Sequence, residues 1–296
     1  MGRVVAVLFA VAALSAGCGG SSTAHGLTLD SILNRSGPDI GVTAGAGDFA
    51  PGSVRFPFLV IASNAKPVER PAADVWVATS QNGKPFQHVR AKLEPIGVPG
   101  GDTADANGIY VAQVATPTAG RYWFMAEPVG GTKIQALGNM VVRKKSLAPS
   151  VGDRAIPSKT PTLASTGGDL SALTTARHPD RALYQVSVAQ ALAAHEPFVL
   201  AFATPQYCQS RTCGPVVDVV SAVRKKASSK GVRFIHVEIY SDNDPAKGVN
   251  KWVSQWRLPT EPFTFVVDRT GAIRTKFEGA FSAAELERAV AAVRRG

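Results

Sequence analysis

The sequence predicts two domains, an all-β domain of antiparallel-sandwich type followed by an α/β domain. Three observations predict this. Residues 48–143 carry six or seven short apolar segments separated by turn residues. Residues 182–296 alternate helical and strand patterns. Residues 144–181 show neither pattern and are rich in Pro, Gly, Ser and Thr, as an inter-domain linker would be. A chain of 296 residues that is 45% hydrophobic can bury two cores. With charged residues at only 18%, it reads as folded rather than disordered.

The first residues read as an export signal. Arg3 precedes an apolar run over 4–14 and then Ser15-Ala16-Gly17-Cys18, so residues 1–17 have the form of a signal peptide. The run is too short to span a bilayer. Ser15 to Cys18 resembles the lipobox of bacterial lipoproteins. That resemblance implies that Cys18 is lipidated and becomes the first mature residue, although Leu14 stands one place further from the cysteine than in the family pattern. Residues 18–47 are then a lipidated tether with one short helix near 29–34. Acyl chains would hold the protein at the cell membrane, facing the extracytoplasmic side, where disulfides persist. The net charge of +10 would suit an acidic partner. However, the basic residues are scattered, and no basic reading helix or aromatic RNA motif is present, which argues against nucleic acid.

In the first domain the strands are predicted over 54–62, 73–79, 87–93, 109–114, 121–126 and 134–142. Asn82-Gly83, Asn107-Gly108 and Pro117-Thr118-Ala119-Gly120 supply turns. Gly108-Ile109-Tyr110-Val111 and Thr116-Pro117-Thr118-Ala119-Gly120-Arg121-Tyr122 resemble immunoglobulin- or fibronectin-type domains. The fold this implies is an immunoglobulin-like β-sandwich. Trp76 and Trp123 read as packing residues and His88 as a surface polar residue.

In the second domain a short helix over 187–194 is capped by Ser187. Residues 198–203 are a continuous apolar run, as in a central strand covered on both faces. Pro215 sits in the first turn of a helix over 215–228, whose buried stripe is Val216, Val219, Val220 and Val223. A strand over 232–240, a helix over 245–256 and a strand over 263–267 follow. Asp268 to Gly271 then turns the chain into a strand over 273–277. Ser282 and Glu285 form a capping box that opens a last helix to Arg294.

Cys208 and Cys213 lie between the apolar strand and the following helix. A thiolate at a helix N-terminus is stabilised by unpaired N–H groups and the helix dipole, and a second thiol nearby can resolve a mixed disulfide. Residues five apart in a helix have Cα atoms about 8.5 Å apart, whereas a disulfide needs less than about 7 Å. The Gln209-Ser210-Arg211-Thr212 spacer must therefore be a loop if the two cysteines are to pair.

The order of elements, with Phe202-Ala203-Thr204-Pro205-Gln206-Tyr207-Cys208 and the stretch Thr260-Glu261-Pro262-Phe263 to Gly271, resembles the thioredoxin-like family over residues 184–294. The resemblance implies a thioredoxin-like domain with Pro262 as a cis-proline beside the cysteine turn. It also implies thiol–disulfide exchange with exported protein thiols or disulfides, or with a membrane redox partner. The spacer holds four residues where the family has two. Ala201 stands where many members carry a buried acid, and Glu261 stands where a small or aliphatic residue precedes their cis-proline. Two alignments are open. One makes Cys208 the nucleophile and Cys213 the resolver, and we prefer it. The other matches Cys213-Gly214-Pro215 to the family's motif.

Three alternatives accompany that reading. Thr204-Pro205 and the Cys208/Cys213 spacing resemble one branch of the peroxiredoxins, implying a thiol peroxidase. Two close cysteines with His236 resemble the Sco-type copper chaperones, implying a Cys208, Cys213, His236 metal site. The third is a binding lipoprotein with a structural disulfide. The favoured reading requires no cofactor, and copper belongs to the Sco-like alternative.

Overall fold

The computed structural model describes residues 28–33, 39–131, 135–226 and 230–295. Cys18 and the signal segment lie outside the described residues. After a short helix α1 (Leu29–Leu33), seven strands form one closed barrel: β1 (Asp39–Ala44), β2 (Gly52–Ile61), β3 (Ala72–Ala78), β4 (Gln87–Pro95), β5 (Gly108–Thr116), β6 (Gly120–Pro128) and β7 (Gln135–Val142). Their order around the barrel is β1-β2-β5-β4-β3-β6-β7. This corrects the expected immunoglobulin-like sandwich. The reason is β1, which lies in the stretch read as tether. It pairs antiparallel with β2 and parallel with β7, joining the two edges that a sandwich would leave apart. The barrel is filled rather than hollow: Phe56, Phe58, Tyr110, Tyr122 and Phe124 are buried in it, and the Phe56 and Phe124 rings meet edge-on at 4.4 Å. Trp76 and Trp123 pack outside against α1 and Met125.

The second unit is a four-stranded sheet of β8 (Phe198–Phe202), β9 (Arg233–Val237), β10 (Phe263–Val267) and β11 (Ile273–Glu278), in the order β11-β10-β8-β9. Only β8 and β9 run parallel. Helices α3 (Cys213–Lys225) and α5 (Ala283–Arg295) contribute to the core on one face. Residues from α2 (Val188–Ala193) and α4 (Lys251–Gln255) contribute to the core on the other. The expected thioredoxin-like α/β fold is corrected as well. The chain is mostly β, and among the described residues its five α-helices run from 5 to 13 residues. The helix expected over 245–256 shows why. Pro245 opens only a 3-10 turn, Gly248 leaves it at a φ of 70°, and α-helix resumes for Lys251–Gln255 alone. The end expected for α3 at Ser228 lies outside the described residues.

The stretch read as a linker, 144–181, is part of this unit. Ala148 and Ala155 are buried in one core and Leu173 in the other, and Ser158 accepts a hydrogen bond from the Trp256 indole. Its few large apolar residues hid that burial in the sequence. The capping boxes at Ser187 and Ser282 both form, the second through Glu285.

A polar seam joins the barrel to the sheet. Arg55 of β2 grips the Glu285 carboxylate with two hydrogen bonds of 2.7 and 3.0 Å and also donates to the Ala280 carbonyl. The Asp48 carboxylate receives the N–H groups of Leu147 and Ala148, the Ser146 hydroxyl and the Lys276 ammonium. Glu278 binds the Asp48 N–H with one oxygen and the Thr260 hydroxyl with the other. Backbone meets backbone at Gly279, where a Cβ would come within 2.2 Å of the Gly45 carbonyl oxygen. Arg55 and Glu285 are 12% and 9% exposed, so removing one leaves the other desolvated and unpaired. Glu285→Ala should cost about 3 kcal/mol of stability, read from chemical denaturation. A loss no larger than that of an exposed pair, about 0.5 kcal/mol, would show that the seam does not carry this weight.

Candidate functional site

β8 ends at Phe202, and the chain leaves the sheet through Ala203 and Thr204 into two successive turns. The Tyr207 N–H donates to the Thr204 carbonyl, and the Arg211 N–H donates to the Cys208 carbonyl. Arg211 adopts a left-handed φ of 52°, and α3 starts at Cys213, two residues earlier than Pro215 suggested. The spacer is therefore a loop, and it folds Cys208 back so that the two thiols hydrogen-bond to each other. Cys213 is fully buried among Val216, Val217 and the sheet, with its sulfur facing the Thr204 N–H. Cys208 keeps 8% exposure. Around its sulfur stand the Ser210 hydroxyl at 3.3 Å and the N–H groups of Thr212 and Cys213. Ser210 is itself held by Thr212 at 2.8 Å.

This arrangement splits the two thiols electrostatically. The hydrogen bond from Cys213 is the largest influence on Cys208. With Ser210 and the two N–H groups it outweighs burial and holds Cys208 at about 5, far below an ordinary thiol. Burial pushes Cys213 up, well beyond the ordinary range. Its bond to Cys208 and the Cys208 charge push it further, so Cys213 keeps its proton. Folding favours the Cys208 thiolate, so its contribution is full above about 9 and is lost as the pH falls through about 5.

The Glu261–Pro262 peptide bond is cis, and Glu261 interacts by charge with Cys213 and with Cys208. Burial first, and then the Cys208 charge, raise Glu261 above the usual carboxylate range. The Tyr240 phenol is raised by burial first and then by the charges of Glu261 and Cys208.

The barrel supplies the facing wall through the loop between β4 and β5. Arg211 pairs with Asp105 at 3.5 Å, and the Asp102 N–H donates to Asp218 of α3 at 2.6 Å. A Cβ on Gly214 would lie 2.5 Å from Asp102 Oδ2, so only glycine lets this loop lie against the helix start. Two clefts result. One, about 650 Å³, is lined by Cys208, Arg211, Arg177, Gln206, Thr103 and Asp102. The other, about 530 Å³, runs between Leu59, Ile96 and Ile109 of the barrel and Ser210, Thr212 and Glu261.

Cys208 and Cys213, expected as one site, thus come together, and Pro262 follows the Glu261 that interacts with them. His236 does not join them as a metal ligand. Its ring nitrogens face the Tyr184 hydroxyl at 2.7 Å and the Ala203 carbonyl at 3.1 Å, and burial lowers its pKa. Among the described residues no group of three or more His, Cys, Asp or Glu could hold a metal ion. Thr204, central to the peroxidase alternative, directs its N–H to Cys213, and its buried hydroxyl has no partner among the described residues. Sequence reasoning missed Tyr240, Asp102 and Asp105. The Gly100-Gly101-Asp102 turn announced a loop but nothing of what it would touch. No protein-family model matches the chain, and no curated protein matches it.

Alkylation of reduced Cys208 by iodoacetamide should follow a titration centred near 5, flat through neutral pH. Cys213→Ala, which removes the largest stabiliser of the thiolate, should move that midpoint upward toward an ordinary thiol. A midpoint near 9 in the unaltered protein would contradict the geometry described.

Proposed function

We propose that this protein is a membrane-tethered, extracytoplasmic thiol–disulfide exchange protein acting on the thiols or disulfides of exported proteins or of a membrane redox partner. The observation that carries this reading is the asymmetric pair. One sulfur is poised as a thiolate at the mouth of a cleft, and its partner thiol is buried and protonated directly behind it. Cys208 is the sulfur that meets the partner, and Cys213 is the resolver. In the oxidised form a partner thiolate attacks Cys208 Sγ and breaks the Cys208–Cys213 bond. Cys213 takes up a proton. A second partner thiolate then attacks the partner-side sulfur, the partner leaves oxidised, and Cys208 departs as a thiolate. Stabilising that thiolate favours the reduced pair, which makes the disulfide an oxidant of partner thiols. The barrel walls both clefts, so its loop contributes to partner fit.

The test is the potential of the Cys208–Cys213 pair. It should lie well above the roughly −300 mV below which structural disulfides fall. Cys213→Ser should accumulate a mixed disulfide through Cys208, while Cys208→Ser should form none. A potential below that limit, with no trapped species, would favour an inert structural disulfide.

Tethering belongs to the same proposal and rests on Cys18. No helix among the described residues is long and apolar enough to cross a membrane. If a lipid on Cys18 is the anchor, Cys18→Ser should move the protein from the membrane to the soluble fraction. Retention at the membrane would refute the anchor.

A further inference from the structure

Exchange through this pair moves a proton on and off Cys213, which is buried and holds its proton firmly. Some group must exchange that proton each time the Cys208–Cys213 bond forms or breaks. The sheet beneath the thiols offers none, because Ala201 of β8 and Thr264 of β10 lie opposite each other there, both fully buried. His236 is engaged at both nitrogens. Tyr240 holds its own proton more tightly than an ordinary phenol. Arg211 is a cation paired to Asp105, and Asp102 acts on Asp218 rather than on either thiol.

Glu261 is left. Glu261 stands just before β10, the neighbour of β8, and lines the same cleft as Ser210 and Thr212 of the cysteine loop. The Thr204 N–H is the one that faces the Cys213 sulfur. Glu261 is half-buried, and among the described residues its carboxylate has no hydrogen bond or ion pair. It is an unpaired carboxylate, among the described residues, close enough to Cys213 for its charge to act there. Thr260, immediately before it, is held by Glu278 of the seam, so the position is set by the join between barrel and sheet.

We propose that Glu261 is the proton acceptor for Cys213, directly or through one water, when the mixed disulfide resolves. The inference rests on the exchange reading above. When Cys208 is bonded to a partner sulfur, Glu261 takes the Cys213 proton and Cys213 Sγ attacks Cys208 Sγ. The Cys208–partner bond then breaks and the partner leaves as a thiolate. In the opposite direction Glu261 returns the proton to Cys213. The charges make this self-timing. In the reduced protein the Cys208 thiolate adds to burial in raising Glu261 above the usual carboxylate range. Capture of a partner sulfur neutralises Cys208, removes that repulsion and leaves Glu261 free to ionise when a base is required.

The test uses the reduced full-length protein and the disulfide DTNB, which releases one thiolate when Cys208 attacks and a second when Cys213 resolves. In Glu261→Gln the first phase should persist, because the Cys213, Ser210 and backbone N–H groups that hold the Cys208 thiolate remain in place. The second should slow about a hundredfold, as expected for a lost general base, and should lose its dependence on a group titrating above the usual carboxylate range. Glu261→Asp should recover part of the second phase. A variant that was merely misfolded would lose both phases and shift the Cys208 alkylation profile. If Glu261→Gln resolves at the unaltered rate across the pH range, Glu261 is not the acceptor and the exchange reading still stands. If the unaltered protein never releases the second thiolate, the exchange reading fails, and this inference fails with it.

Discussion

The constraint on which the rest of this molecule depends is the buried carboxylate seam at Asp48 and Glu278. Asp48 satisfies two N–H groups and a hydroxyl from the stretch after β7 and an ammonium from β11, with no exposure of its own side chain. Burial works against its charge. The Ser146 hydroxyl, the Leu147 and Ala148 N–H groups and Lys276 overcome that and hold it below the usual carboxylate range. Glu278 links the Asp48 backbone to Thr260, and Thr260 leads directly into Glu261 and Pro262. A polar contact between barrel and sheet is thereby continuous with the backbone that faces the thiols. Such a seam is a demanding way to join two cores, since every member must stay paired. In return it fixes one relative placement, and the clefts need that placement to exist.

The dithiol shows how little machinery is needed to split two identical groups. Both cysteines sit at one helix start, yet one is a thiolate at neutral pH and the other is a firmly protonated thiol. The proton they share is the largest influence on Cys208 and burial is the largest on Cys213, and the loop between them adds Ser210, Thr212 and two N–H groups around Cys208. The barrel loop then closes one side without touching the sulfurs, by packing Asp102 against Gly214 and pairing Asp105 with Arg211.

Much of the local structure was legible. The two serine caps, the apolar stripe of α3, the cysteine turn and the cis bond at Pro262 all stand where residue pattern or resemblance put them. Both fold classes were misjudged, for a shared reason. Class depends on which edges meet and how long helices run, and these are decided by partners distant in sequence. β1 is six residues of weak pattern that become a strand only because β2 and β7 offer it two edges. The stretch 144–181 looked like a linker because its buried residues are Ala, Ser and Thr, whose burial depends on neighbours rather than on their own hydrophobicity.

The sequence by itself determined the chemistry that is available: two cysteines with four residues between them ahead of a helix, a proline able to adopt the cis form, and a glutamate before it. It determined this because nucleophile, spacer and helix start are contiguous, and contiguous residues meet whatever the rest of the chain does. Only the tertiary structure decided which sulfur is the thiolate, that His236 is taken up elsewhere, and that Glu261 shares the space of both thiols beside a barrel loop from a hundred residues earlier. Those outcomes depend on burial and on which charges share a low-dielectric space. Both are properties of a packed arrangement of distant segments, and no local run of residues carries them.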